Sequence, residues 1–163
     1  NLVIHSGSID YWTGIDKLLD LIKNGWPDNF FLVIHSKHKI GTANKFYAEI
    51  NELSAMSYPV MLHNESFNDL DEYYEFLSNF DIAVALYYPN YNNRFLGKNI
   101  EYVGLSSGKL ATYLMLGIPS ISTFDETLQK CCNKIPYGQI IDKPDDILLA
   151  LCKIERNADY YKQ

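Results

Sequence analysis

Short apolar runs rich in β-branched residues alternate along this chain with segments whose apolar residues recur at helical spacing. The short runs predict strands at Leu2–His5, Phe30–His35, Pro59–Leu62, Asp81–Leu86, Ser120–Thr123 and Gln139–Ile141. The longer periodic segments predict helices at Gly14–Lys23, Ala43–Leu53, Leu70–Ser78, Lys109–Leu116 and Asp145–Arg156. Nearly continuous apolar strands separated by helices are typical of a parallel sheet covered on both faces. The pattern therefore predicts a doubly wound, Rossmann-like α/β fold of about six strands.

The length, net charge and cysteine content of the chain argue against several classes of function. At 163 residues the chain suits a single domain, 1–163. Because it opens inside a predicted strand without an initiator methionine, we expect it to be a fragment of a longer, two-domain protein. The formal net charge of −6 argues against a nucleic-acid partner. The three cysteines show no metal-ligand spacing, so we expect no metal, reduced thiols and a cytoplasmic location.

A repeated tetrapeptide places histidines at the ends of two predicted strands. Val3–Ser6 and Val33–Ser36 have the same sequence, 30 residues apart. If the two strands are neighbours, His5 and His35 could lie side by side. Two ligands are too few for a metal site without nearby carboxylates, so the favoured interpretation is histidines satisfied at strand ends.

The long loop Tyr87–Tyr102 follows the fourth predicted strand and is rich in Tyr and Asn. It carries Arg94 and Lys98, and it leaves the sheet at the edge where open α/β sheets bind ligands. Long loops in compact domains are usually functional or mobile. The sequence leaves open whether this one binds a ligand or is a surface excursion.

The strongest chemical signal is the turn Ser106-Ser107-Gly108-Lys109, which opens a predicted helix. Free backbone N–H groups and the positive end of the helix dipole favour an anion there, and the lysine adds a charge. Gly7 and Ser8 follow the first predicted strand, where a glycine lets a ligand approach the backbone closely. Both segments fall at the same sheet edge, which indicates a phosphate site.

The stretch from this turn into the next strand resembles the donor-binding helix of group 1 glycosyltransferases of the GT-B fold. The matching residues are Lys109, Leu110, Tyr113, Gly117, Pro119 and Ile121. The resemblance extends to the first strand with its glycine loop and first helix (3–8 and 14–19), the second strand (31–34) and the fourth strand (80–84). It covers nearly the whole chain, and its most specific part is 104–121.

The resemblance implies the C-terminal, nucleotide-sugar-binding half of an enzyme that moves a sugar from a nucleoside-diphosphate sugar to a glycan or similar acceptor, as in polysaccharide biosynthesis. It implies no cofactor besides this donor substrate. The acceptor site and the usual catalytic groups would come from the missing N-terminal half, which is also where a peripheral membrane contact is possible. The chain alone is therefore expected to bind the donor without turnover, and its catalytic residues stay unknown.

Two departures from the family pattern affect the expected donor site. The family's two glutamates fall at Gly104 and Thr112, so a threonine hydroxyl would face the ribose. The loop 8–13 has no cation, so Lys109, Arg94 or Lys98 would have to contact the diphosphate. The base is expected against the loop from His63 to Phe67. The expected donor-binding residues are Gly7, Ser8, His63, Arg94, Ser106, Ser107, Gly108, Lys109 and Thr112.

Other classes share the predicted fold. A nucleotide-sugar epimerase-like enzyme or a non-catalytic nucleotide-sugar-binding module would use the same helix N-terminus, and both stay open. A receiver domain needs acidic residues after the first and third strands. Those places hold His5-Ser6 and His63-Asn64, which argues against that class.

Overall fold

The computed structural model describes residues 1–37 and 44–161. Its sheet has six strands, all paired in parallel, in the order β3-β2-β1-β4-β5-β6. The strands are β1 (Leu2–Ser6), β2 (Phe31–His35), β3 (Val60–His63), β4 (Ile82–Ala85), β5 (Ser120–Thr123) and β6 (Gly138–Ile141). The predicted doubly wound, Rossmann-like fold is confirmed.

Eight α-helices cover the sheet in the described ranges. They are α1 (Ile15–Gly25), α2 (Lys45–Ala55), α3 (Leu70–Ser78), α4 (Lys98–Glu101), α5 (Gly108–Met115), α6 (Glu126–Cys132), α7 (Asp146–Arg156) and α8 (Ala158–Tyr161). The sequence predictions missed α4, α6 and α8, and Ala43 of the predicted second helix lies outside the described residues. Over the described ranges, none of the helices has the length and apolar character needed to cross a membrane.

Two apolar clusters fill the two faces of the sheet. Helices α1, α2 and α7 pack on one face, where α1 buries Ile15, Leu18, Leu19 and Ile22 at helical spacing. Helices α3, α5 and α6 pack on the other, around Leu77, Leu110, Tyr113 and Leu128. The chain therefore covers the sheet on both sides and leaves its carboxyl edge to the loops.

The strand register corrects the expectation for the two histidines. His5 pairs with Ile34, whereas His35 pairs with Ser6 on one side and with His63 on the other. Because neighbouring residues of a strand point to opposite faces, His5 and His35 lie on opposite faces of the sheet. The histidine that accompanies His35 is His63, from β3.

Tyr113 ties α5 to the end of the central strand. Its side chain is fully buried, and its hydroxyl accepts a hydrogen bond of 3.2 Å from the Ser6 N–H. Replacing Tyr113 with phenylalanine leaves that buried N–H without its partner, so we expect the free energy of unfolding to fall by about 1–3 kcal/mol. Urea unfolding measures the change. Tyr160→Phe, at a side chain that is 56% exposed, is the control and should change little.

Candidate functional site

A cavity of about 580 Å³ opens at the carboxyl edge of the sheet. The ends of β1 and β2 form one side, and the loop after β3 with the first turns of α3 forms the other. Its lining residues are Ser6, Gly7, Ser8, His35, Ser36, Lys37, Ser66, Phe67, Asp69, Leu70 and Tyr73. We call this space the larger cavity.

Gly7 forms the part of the wall that faces α5. Its φ of +127° is a backbone conformation that only glycine adopts readily, and its N–H donates to the His35 carbonyl at 2.9 Å. A Cβ atom on Gly7 would lie 3.3 Å from Cε and 3.4 Å from Nζ of Lys109. The glycine therefore allows the lysine ammonium to lie directly against the backbone after β1.

Lys109 follows the first residue of α5, and Ser107 caps this helix by accepting the Leu110 N–H at 3.2 Å. The lysine is half-buried, and burial lowers its pKa to about 8. Its ammonium forms no ion pair or hydrogen bond with any residue in 1–37 or 44–161. An unneutralised positive charge at the N-terminus of a helix is a site for an anion.

A smaller cavity of about 90 Å³ borders Val103 and Gly104, the residues that lead into this turn. Tyr87 links the two regions, because its hydroxyl hydrogen-bonds Ser107 Oγ while Lys109 Nζ lies 5.7 Å from the centre of its ring. The remaining wall includes Glu101, Thr123 and Asp125. The helix N-terminus therefore contacts one lining residue of each cavity, Gly7 of the larger and Tyr87 of the smaller.

Gly104 also borders the smaller cavity and explains one departure from the family pattern. A Cβ atom there would lie 2.5 Å from Thr127 Oγ1 and 2.8 Å from Asp125 Oδ1. Asp125 Oδ1 accepts the N–H groups of Thr127 and Leu128, at 2.8 and 3.0 Å, where α6 begins. A side chain at position 104 would displace Thr127 and Asp125 from where they lie, and the carboxylate beside this position belongs to Asp125.

His63 lies in an aromatic cluster behind the larger cavity rather than in its lining. Its ring stacks on Phe76 with centroids 4.5 Å apart, and its Nδ1 lies 3.0 Å from Nδ1 of His35. Burial, with a smaller effect of His63, lowers the pKa of His35 to about 4. His35 is therefore neutral at pH 7.

The other residues predicted for the site are placed less centrally. Arg94 is exposed, with its guanidinium 6.0 Å from the Phe95 ring, and lines neither cavity. Thr112 is half-buried on α5 and also lines neither. Ser106 donates its hydroxyl to the Val103 carbonyl, and Gly108 is the exposed first residue of α5.

Lys37 is a cation of the larger cavity that sequence reasoning missed. Its position could have indicated this role, because Lys37 follows Ser36 directly after the carboxyl end of β2. Gly7 occupies the equivalent position after the first copy of the repeated tetrapeptide, Val3–Ser6. The sequence pointed to Gly7 as a binding residue because a glycine after a strand is a recognisable motif, whereas a single lysine is not.

The sequence matches no protein-family model, and a comparison with curated proteins finds no match. Solved structures do match. HepE of Anabaena in complex with UDP-glucose is 10% identical over 99% of this chain and 41% of its own, with a TM-score of 0.66. The C-terminal domain of LpcC, a group 1 family glycosyl transferase of Francisella tularensis, is 10% identical over 99% of this chain and 77% of its own, with a TM-score of 0.62.

The fold is that of a GT-B glycosyltransferase C-terminal domain. Sucrose-phosphate synthase of Thermosynechococcus elongatus also shares it, at 14% identity over 99% of this chain and 37% of its own, with a TM-score of 0.61. The chain spans about two fifths of the length of HepE and of this synthase. The resemblance drawn from 104–121 is confirmed at the level of the fold.

Proposed function

We propose that this chain is the donor-binding domain of a glycosyltransferase that takes its sugar from a nucleoside-diphosphate sugar. The observation that carries the proposal is Lys109, an unneutralised cation at the N-terminus of α5, lying against Gly7. A ligand whose two phosphates join a nucleoside to a sugar fits a cation that has one cavity beside it on each neighbouring loop.

The positions of the cavities suggest how the donor lies. Its diphosphate contacts Lys109 and the backbone N–H groups of Ser8, Gly108 and Lys109. Its base enters the larger cavity, where Phe67 offers a ring for stacking. Its sugar points to the smaller cavity, where Asp125 and Thr123 can bond hydroxyl groups.

The likeness to HepE supports this proposal, because that structure contains UDP-glucose. We further propose that a second domain supplies the acceptor site, that the acceptor is a glycan, and that the enzyme works in the cytoplasm in polysaccharide assembly. Transfer needs both domains, so the chain alone binds the donor and does not turn it over.

Calorimetry of the chain with UDP-glucose, GDP-mannose and glucose 1-phosphate tests donor binding. We expect at least one nucleotide sugar to bind and the sugar phosphate, which lacks the base, to bind far more weakly. If no nucleotide sugar of a broader panel binds, the proposed function is wrong. Steady release of free sugar from the donor by the chain alone would contradict the proposal that turnover needs both domains.

The pKa of Lys109 predicts a pH dependence of donor binding. Burial lowers this pKa to about 8, so the free ammonium loses its proton as the pH rises through that value. A bound diphosphate favours the charged form, so binding takes up a proton, and affinity should fall by up to about tenfold per pH unit above pH 8.

Calorimetry of UDP-glucose binding at several pH values, in buffers of different ionisation enthalpy, measures the affinity and the proton uptake. Lys109→Arg is the control, because arginine stays charged throughout this range. Equal pH slopes above pH 8 for wild type and the arginine variant would contradict the prediction.

A further inference from the structure

Three consecutive residues at the end of β2 line the larger cavity: His35, Ser36 and Lys37. Under the proposed function, on which this proposal rests, the cavity holds the base of the donor. What the His35 ring can donate or accept then decides which base fits.

The contacts of His35 indicate which of its ring nitrogens carries the hydrogen. Its Nδ1 is 3.2 Å from the backbone carbonyl oxygen of His63, which can only accept, so Nδ1 of His35 carries the hydrogen. The same hydrogen points to Nδ1 of His63, 3.0 Å away, which accepts as well. The hydrogen of His63 is then on Nε2, which lies 3.9 Å from the Glu65 carboxylate. This chain of contacts leaves Nε2 of His35 as an acceptor.

That acceptor is free to meet a ligand. Nε2 of His35 has no hydrogen-bond partner within the two described ranges. Ser36 is fully buried and its hydroxyl has no partner among the described residues, while Lys37 is exposed at the rim of the cavity. Neighbouring residues of an extended strand point to opposite faces, so the buried Ser36 hydroxyl does not share the face of His35. The group that this wall offers to a base is therefore the acceptor Nε2 of His35.

We propose that His35 selects a base that carries a hydrogen on the ring nitrogen of its hydrogen-bonding edge, as uracil and thymine do. That ring N–H donates to Nε2 of His35. Cytosine and adenine present an unprotonated ring nitrogen at that place, which would face the lone pair of His35. Guanine also carries a ring N–H on that edge and meets the same requirement.

Calorimetry of the chain with UDP, N3-methyl-UDP and CDP tests the proposal. The wild-type protein should bind UDP about tenfold or more tightly than the other two, because each of them leaves the His35 acceptor unpaired. His35→Phe keeps the aromatic cluster and removes the acceptor, so it should bind UDP and N3-methyl-UDP about equally. The comparison of UDP with N3-methyl-UDP uses the wild-type protein, so it tests the proposal even if His35→Phe does not fold.

The possible results distinguish a failure of the role of His35 from a failure of nucleotide binding as a whole. Equal wild-type affinity for UDP, N3-methyl-UDP and CDP would overturn the role of His35 and leave nucleotide binding intact. A preference for UDP that persists in His35→Phe would also overturn it. No binding by any of the three, nor by purine nucleotides, would overturn both the role of His35 and the proposed function.

Discussion

Replacing Lys109 with methionine is expected to weaken binding of a nucleoside-diphosphate sugar by about ten- to a hundredfold. A charge-assisted contact with a phosphate contributes roughly 1.5–3 kcal/mol. Methionine keeps much of the apolar stem that lies against Gly7, so the loss measures the charge rather than the packing. Calorimetry with UDP-glucose at pH 7, where the ammonium of the wild type is charged, gives the two dissociation constants.

Lys98→Met is the matched control for this prediction. Lys98 is exposed at the start of α4 and lines neither cavity, so its loss removes the same net charge from the protein without touching the site. We expect it to bind the donor as the wild type does. If Lys109→Met also binds with unchanged affinity, the diphosphate does not lie at the N-terminus of α5.

Much of the fold could be predicted because the signal is local. The β-branched strands and the periodic apolar residues of α1, α3 and α7 match the structure to within one or two residues. The missed helices α4 and α8 are about one turn long, too short for a hydrophobic period. Helix α6 is longer, and its start could have been recognised from Asp125, which caps it.

Site residues could be predicted from the sequence only where they belong to a local motif within one segment. Lys109 and Gly7 each belong to a local motif, a capped helix and a glycine turn, and the parallel sheet brings the two together. The pair of His35 and His63 depends on the register between β2 and β3, which the sequence does not state. The carboxylate beside Gly104 comes from Asp125, at the start of α6 about twenty residues further along the chain, and no local spacing indicates that contact.

Gly7→Ala is expected to reduce both the stability of the fold and its affinity for the donor. A side chain at a φ of +127° costs about 1–3 kcal/mol of folding free energy. The added Cβ, 3.3 Å from Lys109 Cε, also pushes the lysine away from the backbone N–H groups with which it would share the diphosphate. We therefore expect donor affinity to fall by up to about tenfold, as for a weakened charge-assisted contact.

Two comparisons separate these effects. Gly25, at the end of α1, has a similar φ of +147° with no heavy atom within 4 Å of its Cβ position, so Gly25→Ala should lose stability in urea unfolding and keep donor affinity. In calorimetry, Gly7→Ala should cost much less affinity in a Lys109→Met background than in the wild type, because residues in contact do not act additively. Additive losses would mean that Gly7 contributes to binding independently of Lys109, and the shared anion site would then be wrong.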